Sequence, residues 1–213
     1  MTMIGQRHPM LDGLAKVTGR QSYAMDLAVE GLVEAVLLTS PHPHARILSM
    51  DDTAALTDPE VLGVFWHANM PGHRYNSSIW FEGQKATDDE TMFPDTVRHI
   101  GDRVAVVVAT SRAAAERAAG RLVVRYELLP ARLTAAEADL ARGPLFDADG
   151  QPSFLNPVAD RHFDRGAVEA GFAAAAHVSE STVATPKTHH CAIEPHVALA
   201  LPEPDGRIRV LAP

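Results

Sequence analysis

The sequence holds one cysteine in 213 residues, Cys191, so it forms no internal disulfide. That suits a reducing cytoplasm. One thiol also cannot supply the four thiolates of an iron–sulfur cluster. Basic charge is scarce too: the formal net charge is −8. With no basic stripe to neutralise phosphates, nucleic acid and anionic membrane surfaces are not expected partners. No apolar run approaches the roughly 20 residues that a membrane span needs. The N-terminus, "MTMIGQRHPMLDG", lacks the apolar stretch of a signal peptide. Neither phosphate-cradling glycine pattern, GxGxxG or GxxxxGK[ST], is present. Gly101 and Asp102, at the mouth of "RVAVVVA", read instead as a turn.

What is present is ordinary for a soluble globular protein. Hydrophobic residues make up 46% and charged residues 22%. The length suffices for one large domain, or for one domain and part of another. Residues 1–30 show no clear period and read as an extended arm. "GLVEAVLLTS" (31–40) and "VLGVFWH" (61–67) read as strands, the first of them buried. A short helix or turn lies between them at 52–59, with Asp51 or Asp52 as its N-cap. Residues 68–96 read as a long polar loop, and the "DDE" at 88–90 as a solvated part of it. In "SPHPHARI", His42 and His44 fit a solvated turn that positions Arg46 better than a metal chelate.

The clearest stretch is 97–130. "RVAVVVA" is a strand, Ser111 caps the Ala-rich helix "RAAAERAAGR", and "LVVRYELL" is a second strand ended by Pro130. This strand–helix–strand unit predicts a mixed sheet with helices on one face, and so an α+β fold. "TAAEADL" (134–140) is a short helix capped by Thr134. Residues 141–166 are rich in Gly, Pro and Asp and read as linker. "AVEAGFAAAA" (167–176) is helical and "HVSESTVATP" alternates like a strand. The last two strand-like stretches flank the hairpin turn "EPDG".

One cluster invites a chemical reading. "KTHHCAIEPH" (187–196) packs three histidines, the cysteine and a glutamate into ten residues. In an extended segment His190, Glu194 and His196 share one face, and His189 and Cys191 the other. A zinc site needs three or four convergent ligands, and no CxxC or second cluster completes one. A Cys–His nucleophile needs a third, orienting group and an oxyanion hole. Spacing alone therefore favours a segment whose polar residues hydrogen-bond locally.

Several stretches, taken in order, resemble one family. They are "DGLAKVTGRQSYAMDL", "LLTSPHPHARILSMDDTAAL", "PEVLGVFWHANMPG", "VRHIGDRVAVVVATSRAAAERAAGRLVVRYELLPA", "GAVEAGFAAAAHVSESTVATPKTHHCAIEPHVALA" and "DGRIRV". Their order and spacing are similar to the start of the molybdenum-binding subunit of the xanthine dehydrogenase/aldehyde oxidase family. The resemblance implies an N-terminal arm (1–15), an α/β hammerhead domain (16–132) and a linker with a short helix (133–165). The first helix and strands of a molybdopterin-binding domain would follow (166–213).

The resemblance also implies an activity. Members of the family hydroxylate purines, N-heterocycles or aldehydes with water as the oxygen source, using molybdenum–molybdopterin. Electrons leave through [2Fe–2S] clusters and often FAD, here expected on an iron–sulfur subunit and an FAD subunit. The remainder of the molybdenum-binding subunit is a further expected partner. Many members place a glutamine two residues before the histidine of an H-x-x-x-E segment, where it hydrogen-bonds a molybdenum oxo ligand. His190 and Glu194 match that histidine and glutamate, and Thr188 takes the glutamine position. Some members instead carry H-x-x-x-E-P-H, as here. The family's glycine-rich loops, substrate-orienting residues and base fall after Pro213. The resemblance therefore places cofactor-binding residues at Thr188, His190 and Glu194, with no protein ligand to a metal and no catalytic residue in this chain. The expected role is a cytoplasmic scaffold portion of the enzyme, inactive alone. Two alternatives are a non-catalytic hammerhead module acting in assembly and a small metallo- or thiol enzyme built on 188–196.

Overall fold

The structure is a computed structural model that describes residues 4–77, 90–134, 137, 147–148, 151–152, 163 and 165–213. It separates into two compact units, one of residues 32–170 and one of residues 1–31 with 171–213.

The larger unit is built on two three-stranded sheets. β1 (Glu34–Thr39), β5 (Arg103–Ala109) and β3 (Val61–Trp66) form the first, in the order β1-β5-β3. β4 (Thr96–Val97), β2 (Ala45–Asp51) and β6 (Val123–Leu128) form the second, in the order β4-β2-β6. Helices α2 (Thr53–Leu56) and α3 (Arg112–Ala119) belong to the same unit. β5 is an unbroken run of Val and Ala because it is the central strand: Val104, Ala105, Val107 and Ala109 are fully buried. β1, expected to be buried, instead alternates between half-buried and exposed residues, and Leu37 is 51% exposed. β1 is an edge strand packed on one face only, by α3.

The strand–helix–strand unit is present, but its strands lie in different sheets. Ser111 caps α3 as expected, its hydroxyl accepting the N–H of Ala114 at 3.3 Å. α3 then carries the chain from β5 in the first sheet to β6 in the second. Every named pairing is antiparallel, so the helix bridges two sheets instead of joining parallel neighbours within one mixed sheet. The α+β class follows, with α3 against one face of the first sheet.

Alanine makes this packing close. Ala114, Ala115, Ala118 and Ala119 sit at i, i+1, i+4 and i+5 of α3 and are 0–9% exposed, facing Val64, Val107 and Ala109. A second cluster gathers Ala45, Ile47, Val97, Val104 and Ala105. Met50 and Leu122 pack against both clusters and tie the sheets together. The Gly101–Asp102 turn stands as read: Gly101 has φ 91°, a left-handed conformation open to glycine, and Asp102 is buried. At α2, Asp51 Oδ1 accepts the Thr53 N–H at 3.0 Å, while Asp52 occupies the cap position without a side-chain bond. Arg46, after the His42–His44 turn, pairs with Glu127 at 3.1 Å.

The smaller unit holds helix α1 (Gly13–Val17) and a 3-10 turn, Ala24–Asp26, within the arm that reads from sequence as extended. It also holds the hairpin of β9 (Leu199–Pro202) and β10 (Ile208–Leu211). Gly206, at φ 84°, turns that hairpin where "EPDG" marks it. Helix α4 (Val168–Ala174) matches the helix read at 167–176. Residues 177–186 form no strand, although they alternate.

In the larger unit, Thr134 Oγ1 accepts the Glu137 N–H at 3.2 Å, and the Glu137 carboxylate accepts the N–H of Leu133 and of Thr134. This reciprocal cap supports the start of the helix read at 134–140. The rest of that helix, residues 78–89 of the polar loop and most of the linker lie outside the described residues. Two short strands, β7 (Asp147–Ala148) and β8 (Gln151–Pro152), pair within the linker range. No helix among the described residues is long and apolar enough to cross a membrane.

Candidate functional site

The segment 187–196 is not a strand, and this changes which of its side chains meet. Cys191 stands at φ 49°, in the left-handed region that non-glycine residues seldom adopt. Its N–H turns back to donate to Nδ1 of His189 at 2.9 Å. The kink cancels the two-residue alternation of an extended chain. His189 and His190, expected on opposite faces, stack with ring centroids 4.9 Å apart and planes 12° from parallel. The shared face expected for His190, Glu194 and His196 is lost with that alternation.

Each candidate residue then has a distinct setting. Thr188 and His190 are exposed, and neither side chain hydrogen-bonds another described residue. Glu194 is half-buried and engaged: Oε1 accepts the backbone N–H of Ala24, 170 residues away in sequence, at 2.9 Å. The same carboxylate adds to the charge that holds the Lys16 ammonium above its ordinary pKa. The larger cause there is the Lys16 hydrogen bond to Asp12, at 2.7 Å. Sequence spacing gives no sign of the Glu194–Ala24 contact, because it links the first and last parts of the chain.

The other chemistries find little to work with. Among the described residues no group of three or more His, Cys, Asp and Glu side chains comes together to hold a metal ion. Cys191 is exposed and free, and its neighbour His189 is occupied by a backbone N–H. A cleft of about 270 Å³ in the larger unit is bordered by Glu90, Arg98, Asp102 and Arg103. Its acids have structural partners. Glu90 accepts the hydroxyl and N–H of Ser77, which holds its carboxyl below the ordinary range, and Asp102 accepts two backbone N–H groups.

Comparison with known proteins supplies the class. Residues 18–130 match the a/b hammerhead domain of aldehyde oxidase and xanthine dehydrogenase, and residues 150–213 match a molybdopterin cofactor-binding domain. The fold thus joins a hammerhead domain to the opening of a molybdopterin cofactor-binding domain. The chain belongs to the aldehyde oxidase and xanthine dehydrogenase family.

It is 32% identical over 209 residues to the xanthine dehydrogenase molybdenum-binding subunit of Escherichia coli O157:H7, covering 95% of this chain and 27% of that protein. The crystal structure of quinoline 2-oxidoreductase from Pseudomonas putida 86 is similar with a TM-score of 0.78 and 29% identity, over 95% of this chain and 26% of that one. Aldehyde oxidoreductase from Desulfovibrio gigas gives a TM-score of 0.78 and 28% identity, over 98% of this chain and 23% of that one. The chain thus spans about a quarter of the length of these relatives.

The residues of 187–196 whose exposed polar atoms could hydrogen-bond such a cofactor are Thr188 and His190. Among the described residues no group of three or more His, Cys, Asp and Glu side chains accompanies them.

Proposed function

We propose that this chain is the N-terminal portion of a molybdenum hydroxylase subunit that oxidises purines, N-heterocycles or aldehydes with water as the oxygen source. It acts there as scaffold and as one wall of the cofactor site. The observation that carries this reading is the match of residues 150–213 to a molybdopterin cofactor-binding domain, with Thr188 and His190 inside it as exposed polar groups. The cofactor, when bound, supplies the two-electron oxidation of an electron-poor carbon. This chain's own part is to orient it: Thr188 offers a hydroxyl at the position of the family's glutamine, and His190 an imidazole beside it. Glu194 stands at the third motif position. The reading includes the functional divisions 1–15, 16–132, 133–165 and 166–213, a cytoplasmic setting, and partner subunits that carry [2Fe–2S] clusters and FAD.

The test is to purify the subunit carrying this chain, with its partner subunits, from cells that make the molybdenum cofactor. Molybdenum is then assayed, and product from a purine, a quinoline and an aromatic aldehyde is collected in ¹⁸O-labelled water. One molybdenum per subunit and ¹⁸O in at least one product are expected. Absence of molybdenum, or oxygen drawn from O₂, would overturn the reading.

A further inference from the structure

We infer that Glu194 is a positioning residue whose carboxylate latches the N-terminal arm to the segment 187–196. Its work is done on this chain's backbone, not on a bound ligand. The arm's 3-10 turn, Ala24–Asp26, begins with two backbone N–H groups that the turn itself leaves without partners. Asp26 Oδ2 accepts the first, from Tyr23, at 2.9 Å. Glu194 Oε1 accepts the second, from Ala24, at 2.9 Å. The Tyr23 carbonyl accepts the Asp26 N–H at 2.9 Å and closes the turn. Ala24 and Glu194 are both half-buried, whereas Thr188, His190 and His196 around them in sequence are exposed. Glu194 is thus the one candidate residue of the segment whose side chain is committed elsewhere in the fold, across 170 residues of sequence.

Two further features fit a latch. Lys16, on α1 of the same arm, is paired with Asp12 and lies where the Glu194 charge still reaches it. The segment also needs an external anchor, because it makes no strand pairing of its own and bends at Cys191. Only the consequence for the cofactor rests on the function proposed above: with the latch closed, Thr188 and His190 are held on a fixed stretch of backbone. The latch itself stands without that function.

The experiment cuts the latch from each side. Glu194→Ala removes the acceptor and Glu194→Gln keeps an acceptor oxygen of the same reach. Ala24→Pro removes the donor where proline is tolerated, at the first position of a helical turn after an extended residue. The readout is tryptic cleavage after Arg20 in the purified subunit that carries this chain, prepared with its partner subunits, with circular dichroism confirming the fold. Cleavage about tenfold faster is expected for Glu194→Ala and for Ala24→Pro, the factor that loss of a net hydrogen bond of about 1.4 kcal/mol sets. Glu194→Gln keeps the hydrogen bond and loses the charge, so its cleavage is expected between wild type and Glu194→Ala. The variant carrying both Glu194→Ala and Ala24→Pro should be cleaved no faster than either alone. Unchanged protection in Glu194→Ala, failure of Gln to rescue, or additivity in the double variant would overturn the latch. Molybdenum assayed in the same preparations separates the two proposals. Its absence from the wild type counts against the proposed function while leaving the cleavage pattern to decide the latch.

Discussion

Asp102 Oδ2 accepts the backbone N–H of Arg98 at 3.0 Å, and its Oδ1 accepts that of Arg103 at 2.9 Å. Asp102 is 9% exposed, so its carboxylate makes these bonds largely out of water. The turn is bound to the end of β1 as well, by the pair Ser40 N–H to Asp102 O and Gly101 N–H to Ser40 O, both 2.8 Å. Asp102→Ala should therefore destabilise the larger unit by about 1–3 kcal/mol for each donor left unpaired. Asp102→Asn keeps one acceptor oxygen and should fall between Ala and wild type. Urea midpoints of the three proteins check the order, and an Asp102→Ala midpoint equal to wild type would exclude this role.

The alanine stripe of α3 carries a packing prediction. Ala115 and Ala118 are 0% exposed against Val107 and Ala109, with no room for a longer side chain. Ala115→Leu should cost about 1–3 kcal/mol through overpacking. Arg112, on the exposed side of the helix and paired with Glu116 one turn on, is the control. Arg112→Ala should change stability by no more than about 0.5 kcal/mol. Thermal denaturation of both variants measures the contrast, which vanishes if α3 does not press on the sheet.

Ser111 has two duties at the start of α3. Its hydroxyl accepts the Ala114 N–H and donates to Glu60 Oε1 at 3.2 Å. Ser111→Ala should lose about 1 kcal/mol of stability. Ser111→Thr keeps both bonds and should restore most of it. Ser111→Asp caps the helix equally well but sets a second carboxylate against Glu60, so it should recover less than Thr. Equal recovery by Asp and Thr, read from denaturant midpoints, would show that the Glu60 bond contributes nothing.

These three predictions rest on local structure that was largely legible in the sequence. Ser111 before an Ala-rich run, the Gly101–Asp102 turn and the "EPDG" hairpin are short-range signals, and each forms where its residues place it. The assignment of β5 and β6 to separate sheets was not legible, because antiparallel partners are chosen by contacts far apart in sequence. The candidate segment misled in the same way. Alternation in "KTHHCAIEPH" presumes extended backbone, and one left-handed residue, Cys191, removes it. The partner of Glu194 was invisible for a plainer reason: a backbone N–H has no residue type to give it away.

His67 follows β3 and carries a pH dependence. Its Nδ1 is buried with no hydrogen-bond partner among the described residues, and its ring stands edge-on to Trp66 at 4.5 Å. Burial holds its pKa below the ordinary 6.5, against a weaker upward pull from the Asp95 charge. The folded protein thus binds fewer protons at this site than the unfolded chain does. Stability from this group is complete above the ordinary value and is lost as pH falls from there towards the lowered value. His67→Phe keeps a ring against Trp66 and removes the titration. Denaturation at about pH 7.5 and about pH 5 should therefore show a smaller acid-induced loss in His67→Phe than in wild type. Asp95→Asn removes the opposing attraction, lowers the His67 pKa further and should enlarge the loss. If His67→Phe loses as much stability as wild type over that interval, the acid sensitivity lies in another group.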